Sequence, residues 1–257
     1  MNIPSIAGKK LIVFDLDGTV TESKSPMDQE MAEIFSRLLL RMKIAIISGG
    51  AFQQFERQLP ALQCSSAQLQ NLFFFPTMGT RFYRYSDKWE QVYADEMTIE
   101  ERRKIMESFE RVFGDIGYEH PVTLYGEVIE DRGSQVTFSA CGQRAPLEVK
   151  KAWRGSAQDR RVEMVKALQK YLPEFEIKIP GYSSIDVNHK GIDKAYGLKK
   201  MEEFIGVSIP EMIFVGDALY EGGNDHAVIR TGVDTVAIAN PSETKVVLLQ
   251  WLKEMGA

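Results

Sequence analysis

Four short apolar runs, each ending in small or polar residues, constrain this chain more than any other feature. Leu11-Ile12-Val13-Phe14 ends at Asp15-Leu16-Asp17-Gly18-Thr19, and Ile44-Ala45-Ile46-Ile47 ends at Ser48-Gly49-Gly50. Met212-Ile213-Phe214-Val215 ends at Gly216-Asp217, and the fourth run covers 235–239. Runs this short, with no polar alternation, suit strands buried on both faces of a parallel sheet. Between the first two, Met27, Met31, Ile34, Phe35, Leu38 and Leu39 recur at helical spacing, with Pro26 placed as a first helical residue. Strand, helix, strand is a βαβ unit, whose chemistry belongs at the carboxyl ends of the strands.

The texture changes from residue 81 onward. Residues 81–85 alternate, and Thr98 with Glu101 forms a capping-box pattern ahead of a charged amphipathic helix to 113. Residues 128–130 and 135–138 read as paired strands around Gly133-Ser134. A helix is expected over 159–171, then strands over 175–179 and 184–187. Parallel texture returns with a helix over 193–205 and a last helix over 241–253, expected to pack Val246, Val247, Leu249 and Trp251. The fold class is therefore α/β: a Rossmann-like doubly wound parallel-sheet core, residues 1–87 and 184–257, with an inserted α+β cap domain at 88–183. Trp89, Tyr93 and Phe109 are expected to pack that cap.

Composition narrows the function. A net charge of −5 disfavours a nucleic-acid partner, which calls for a basic surface. The two cysteines, Cys64 and Cys141, provide no disulfide framework. Met1 to Gly8 is too short and too weakly charged for a signal peptide, and no apolar run is long enough for a bilayer. The expectation is a cytoplasmic protein without a membrane partner.

The chemistry gathers at the run ends. Carboxylates two apart on an extended strand share a face, and the turn at Gly18 keeps Asp15 and Asp17 together at one strand end, where both could converge on one site. One carboxylate can attack phosphorus, and the other can protonate the leaving oxygen. Phosphoryl transfer between anions calls for a hard cation such as magnesium, and Asp217 supplies a third carboxylate, with Asn224 and Asp225 in support. Ser48 offers a hydroxyl, and Gly49 and Gly50 backbone N–H groups, to a phosphoryl oxygen. Lys194, at a helix start, can neutralise the phosphoryl group or orient the nucleophile.

These segments resemble the motifs of the haloacid dehalogenase superfamily: D-x-D-G-T at Asp15, then Ser48, Lys194, and Gly216-Asp217 with Asn224-Asp225. The inserted module resembles the α/β cap of its sugar-phosphate branch. The resemblance implies Asp15 as nucleophile and Asp17 as acid/base. It implies a magnesium ion on Asp15, Asp217 and the backbone carbonyl of Asp17. The chain is most similar to the eukaryotic-type phosphomannomutases, whose long G-D-x-x-x-x-G-G-N-D loop is matched by residues 216–225. Glu130-x-Arg132, Ser184-x-Asp186 and Gly191-x-Asp193-Lys194 match as well. The branch implies that Ser184 and Asp186 hold sugar hydroxyls and that Arg132 holds phosphate. A sugar phosphate is the implied substrate, and a homodimer through the cap is expected.

The chain departs from that pattern at four positions. Lys24, Gln143 and Lys150 stand where the branch has substrate-binding arginines, with Arg144 next to Gln143. Thr231 stands where it has a metal-binding aspartate. A neutral Gln143 and a point-charge Lys150 grip a distal phosphate less well than forked arginines. On that ground the sequence favours a hexose-phosphate phosphatase acting on mannose 6-phosphate or a similar ester. The alternative is a phosphomannomutase interconverting mannose 1- and 6-phosphates.

Overall fold

The structure, a computed structural model, describes residues 3–256. It contains β1 (Leu11–Asp15), α1 (Gln29–Leu39), β2 (Lys43–Ile47), α2 (Phe52–Gln58), α3 (Ser66–Leu69), β3 (Leu72–Phe75), β4 (Arg81–Tyr85) and β5 (Trp89–Ala94). Then come α4 (Ile99–Ile116), β6 (Ile129–Asp131), β7 (Val136–Ser139), α5 (Leu147–Trp153), α6 (Arg161–Tyr171), β8 (Phe175–Lys178) and β9 (Ser184–His189). The chain closes with α7 (Lys194–Ile205), β10 (Met212–Gly216), β11 (Asp234–Ala237) and α8 (Pro241–Glu254). It divides into two compact units, with boundaries after Ala94 and after Ile192.

The first unit holds a seven-stranded sheet in the order β11-β10-β1-β2-β3-β4-β5. The strands from β11 to β3 pair in parallel, and β4 and β5 are antiparallel. From β1 the chain steps outward through β2 and β3, and it later returns on the other side as β10 and β11. Such a reversal opens a crevice at the carboxyl ends of the central strands. Side chains alternate along β1. Ile12 and Phe14 pack with Ile44 and Ile46 among residues of α1 and α8, whereas Leu11 and Val13 pack with Ala45 and Ile47 beside Leu198 and Met201 of α7. Burial on both faces is why these runs read as continuously apolar.

Local chemistry adjusts several expected elements. The first helix begins at Gln29, because Asp28 accepts a hydrogen bond from Met31 N at 2.8 Å and caps it; Pro26 lies outside. Such a cap contributes about 1 kcal/mol. In α8 the buried face carries Val247, Leu248, Trp251 and Leu252, while Val246 and Leu249 are exposed. The expected packing set was thus rotated by part of a turn. The runs behind β3 and α2 were not assigned from sequence.

The second unit is a four-stranded antiparallel sheet, β6-β7-β9-β8. Val136, Phe138, Ile185, Val187 and Phe175 cluster with Ile105, Phe109 and Val112 of α4 and Met164 and Leu168 of α6. Helix α4 starts with the expected capping box, Glu101 N donating to Thr98 Oγ1 at 3.1 Å and Thr98 N to Glu101 Oε2 at 2.7 Å.

The expected boundaries at 87/88 and 183/184 both fall too early. Pairing of β5 with β4 keeps residues up to 94 in the first unit, and pairing of β9 with β7 and β8 keeps residues up to 192 in the second. Ser184 and Asp186 therefore belong to the inserted unit. Trp89 belongs to the first unit, its ring 4.2 Å from that of Phe74, and so does Tyr93; of the expected cap aromatics, Phe109 alone lies in the second unit's core. No helix among the described residues is long and apolar enough to cross a membrane.

Candidate active site

Strand alternation places Asp15 on the same side of the sheet as Leu11 and Val13, the side covered by α7. Lys194, the first residue of that helix, is 0% exposed and donates to both Asp15 Oδ1 and Asp225 Oδ1. The helix start is fixed by Asp193, whose Oδ1 accepts from Ala195 N at 3.0 Å and Tyr196 N at 3.2 Å. Arg230 in turn holds Asp193 at 2.6 Å. The loop after β10 doubles back, so that Asp225 Oδ2 accepts from Ala218 N at 3.0 Å. Both oxygens of Asp225 are thus engaged, which makes it a brace for Lys194.

Asp217 lies against the turn at Gly18, whose φ is +87°. A Cβ on Gly18 would stand 2.6 Å from Asp217 Oδ2, so only glycine allows this approach. Ligand atoms of Asp15, Asp217 and Asp225 lie within 4.8 Å of one another. Burial pushes the Asp15 carboxyl well above the usual range, Asp225 and Asp217 add to this, and Lys194 opposes it. Burial and Asp225 also raise Asp217. Lys194 is pulled down by burial, but Asp15 and Asp225 outweigh this and hold it charged. Three carboxylates thus face one ammonium, and the excess negative charge suits a divalent cation.

The side chain of Asp17 is not part of that cluster. Its Oδ1 accepts from Lys24 N at 2.6 Å and from Gln58 Nε2 at 3.1 Å, and its Oδ2 accepts from Gln54 Nε2 at 2.7 Å. Lys24 enters the site through this backbone N–H, with a left-handed φ of +54°; its side chain is exposed. Gln54 and Gln58 escaped the sequence reading. The legible signal was two glutamines four apart, on one face of a helix that follows Ser48-Gly49-Gly50. A Cβ on Gly50 would overlap the Gln54 amide, so that glycine makes room for the grip on Asp17.

Ser48 is buried at the end of β2, and its Oγ accepts from Gly50 N at 3.1 Å. Its own hydroxyl proton remains available to a phosphoryl oxygen. The turn after β3 braces this loop, Thr77 N donating to Gly50 O at 3.0 Å and Met78 N to Ser48 O at 2.9 Å. Thr77 and Met78 both have positive φ, strain of the kind that collects at functional sites. Asn224 is exposed on its loop. The hydroxyl of Thr231 donates to Val228 O at 2.6 Å.

In the second unit, the structure gathers three of the expected residues around Thr137. Arg132 donates to Glu130 at 2.6 Å and to Gln143 Oε1 at 3.3 Å. Gln143 donates to Thr137 O at 3.1 Å, and Thr137 Oγ1 to Asp186 Oδ1 at 2.8 Å. Ser184 opens β9 two residues before Asp186. Lys150 is buried on α5, whereas Arg144 is exposed beside Gly126 and is not seen to replace Gln143 in this group.

Comparison with known proteins gives one consistent picture. The sequence model of the family described as eukaryotic phosphomannomutase matches residues 31–254. The phosphomannomutase of Encephalitozoon cuniculi is 27% identical over 96% of this chain and 95% of its own. That of Schizosaccharomyces pombe is 26% identical over 92% and 91%. In solved structures, IMP-bound Plasmodium falciparum IMP-nucleotidase superposes with a TM-score of 0.66 at 17% identity, covering 96% of this chain and 68% of that one. A trehalose-6-phosphate phosphatase related protein superposes at 0.60 and 16% identity, covering 96% and 98%. At such identities the structural likeness speaks to the fold alone.

Proposed function

The chain belongs to the eukaryotic phosphomannomutase family of the haloacid dehalogenase superfamily, and from that premise we propose that it is a phosphohexomutase interconverting hexose 1- and 6-phosphates, mannose phosphates first among them. The observation that carries this reading is Lys194 bridging Asp15 and Asp225 at the crevice where Asp217 and Ser48 also end their strands. The relatives favour the mutase over hydrolysis, reversing the preference that Gln143 and Lys150 suggested from sequence.

Asp15 attacks the phosphorus of a bound hexose bisphosphate through a carboxylate oxygen. A new O–P bond forms, the sugar O–P bond breaks, and the leaving oxygen takes a proton from Asp17. A hexose monophosphate with its free hydroxyl at the phosphorylated Asp15 gives that proton to Asp17 and takes the phosphoryl group, which re-forms the bisphosphate and frees Asp15. The bisphosphate turns end for end, and the next attack by Asp15 removes its other phosphoryl group and leaves the isomeric monophosphate. Lys194 holds one Asp15 oxygen, which directs the other toward phosphorus, while Ser48 donates to a phosphoryl oxygen. Gln54, Gln58 and Lys24 N steady Asp17 between proton transfers. Magnesium suits the excess charge of the cluster; the Asp15 and Asp217 carboxylates and the Asp17 carbonyl would hold it, and it would supply charge neutralisation at the transferring group. A sugar-phosphate substrate fits a cytoplasmic enzyme.

Phosphorus NMR on mannose 1-phosphate, with magnesium and a catalytic amount of hexose 1,6-bisphosphate, tests the reading. Mannose 6-phosphate should accumulate with little free phosphate. Dominant free phosphate would overturn it in favour of a phosphatase. That second reading rests on Gln143, a neutral residue beside an Arg132 already bonded to Glu130. Loss of one charge-assisted bond costs about 1.5–3 kcal/mol, or about 10- to 150-fold in bisphosphate retention. Gln143→Arg should therefore lower the ratio of free phosphate to isomerised product, and an unchanged ratio would mean that retention does not depend on this position.

A further inference from the structure

On the polar face of the second unit's sheet, two side chains stand outside the bonding described above. Gln135 is 0% exposed and Asn188 is 2% exposed. Val136 pairs with Val187, so Gln135 and Asn188 continue the ladder by one step on facing strands. Alternation puts both on the face that carries Thr137 and Asp186. The direction of the bonds along this face follows from the donor inventory. The Asp186 carboxylate accepts, so the single hydroxyl proton of Thr137, 2.8 Å away, is given to it. Toward Gln135, at 3.0 Å, the Thr137 oxygen can then only accept, and Gln135 must turn its Nε2–H to it. Gln135 Oε1 is thereby left as an acceptor. Neither it nor Asn188 Oδ1 has a hydrogen-bond partner among the described residues, although both atoms are buried.

Buried carbonyl oxygens are paired as a rule, and this deficit has one sign. Two acceptors do not satisfy each other. A phosphate oxygen does not satisfy them either, because a phosphate dianion only accepts. A hydroxyl does. We propose that Gln135 and Asn188 are specificity-determining residues that accept hydrogen bonds from hydroxyls of the hexose ring, extending the Thr137–Asp186 pair into a row of acceptors. The proposal rests on the reading of this chain as a hexose-phosphate enzyme, and adds which part of the substrate this face selects.

The test compares mannose 6-phosphate with its 2-, 3- and 4-deoxy analogues, using kcat/KM for the parent, Gln135→Leu and Asn188→Leu. For the parent, the analogue lacking the hydroxyl bound by Gln135 should lose about 3- to 10-fold, and Gln135→Leu should no longer distinguish it from the full sugar. Asn188→Leu should erase the penalty of a different deoxy analogue. The melting temperature of Asn188→Leu should not fall, since the change removes a buried acceptor without a partner, whereas Gln135→Leu also gives up its bond to Thr137 and is judged on discrimination alone. Variants that keep the parent's whole pattern of discrimination would overturn the proposal and make the amides structural. If Gln135→Leu does not fold, Gln135→Met, closer in shape, carries the same comparison. A parent inactive on every hexose phosphate would overturn the broader reading, and this one with it, before any variant is compared.

Discussion

In the first unit, Lys194 lies between Asp15 and Asp225, and the Asp17 carboxylate is held by two glutamine amides and a backbone N–H. In the second, Thr137 and Asp186 are paired, but Gln135 and Asn188 keep buried oxygens without partners among the described residues. The first arrangement is complete before any substrate arrives, apart from an excess of negative charge that a cation would balance. Groups fixed in advance need no reorganisation when charge moves, which is what a reacting centre requires. The second arrangement is completed by a ligand, and its unmet bonds favour whichever ligand meets them. Substitutions in the first unit should therefore change kcat on every substrate, and those in the second should sort one substrate from another.

The largest effect belongs to Asp15→Asn. An amide is no nucleophile toward phosphorus, and turnover should fall by about 10⁴-fold or more, as for other residues that act as one catalytic unit. Intact mass after brief mixing with substrate should show no phosphorylated chain; a phosphorylated variant would place the nucleophile elsewhere. Lys194→Met leaves buried carboxylates without their cation, and breaking such a pair costs about 3–5 kcal/mol. Denaturant unfolding should show that loss, and a variant as stable as the parent would mean that the cluster is not held by this lysine.

Gln54→Leu comes next. Removing a bond to a charged group costs about 1.5–3 kcal/mol, so kcat should drop about 10- to 150-fold if the grip on Asp17 is used in the transition state. The drop should be the same for mannose and glucose phosphates. A change confined to KM for one sugar would blur the contrast between the units.

The smallest effect is one of stability. Asp217 titrates above the usual carboxylate range because of burial and Asp225, so the folded chain binds this proton more tightly than the unfolded chain does. Stability then falls as pH rises from the ordinary carboxylate value through the folded value, and the penalty is complete above that window. Without metal, Asp217→Asn should melt a few degrees above the parent at neutral pH, with the gap closing in acid. Added magnesium should stabilise the parent and not the variant. A metal-free variant less stable than the parent would contradict the charge excess.

Much of the first unit was legible because its signals are local. An apolar run reports burial on both faces, and a following Asp or Ser-Gly-Gly marks the strand end where candidate site residues stand, as at Asp15, Ser48 and Asp217. The second unit was less legible. Its strands are short, and whether residues 89–94 and 184–189 join one sheet or the other depends on pairing with distant strands. Both boundaries were therefore placed too early. The face of α8 was misread for a related reason: Val246 and Leu249 are as apolar as Val247 and Leu248, and only contact with the sheet tells them apart.

The sequence by itself determined the doubly wound core, the acidic residues at the strand ends that gather into one cluster, and the family. Those properties follow from periodicity and from residue types that few other arrangements explain. Only the tertiary structure decided how those residues are bonded. That Asp225 braces Lys194, that Gln54 and Gln58 hold Asp17, and that Gln135 is left with a free acceptor beside Thr137 are consequences of which strands lie side by side. A hydrogen bond is made or missed within a fraction of an ångström, between groups far apart in the chain, and no local pattern encodes that distance.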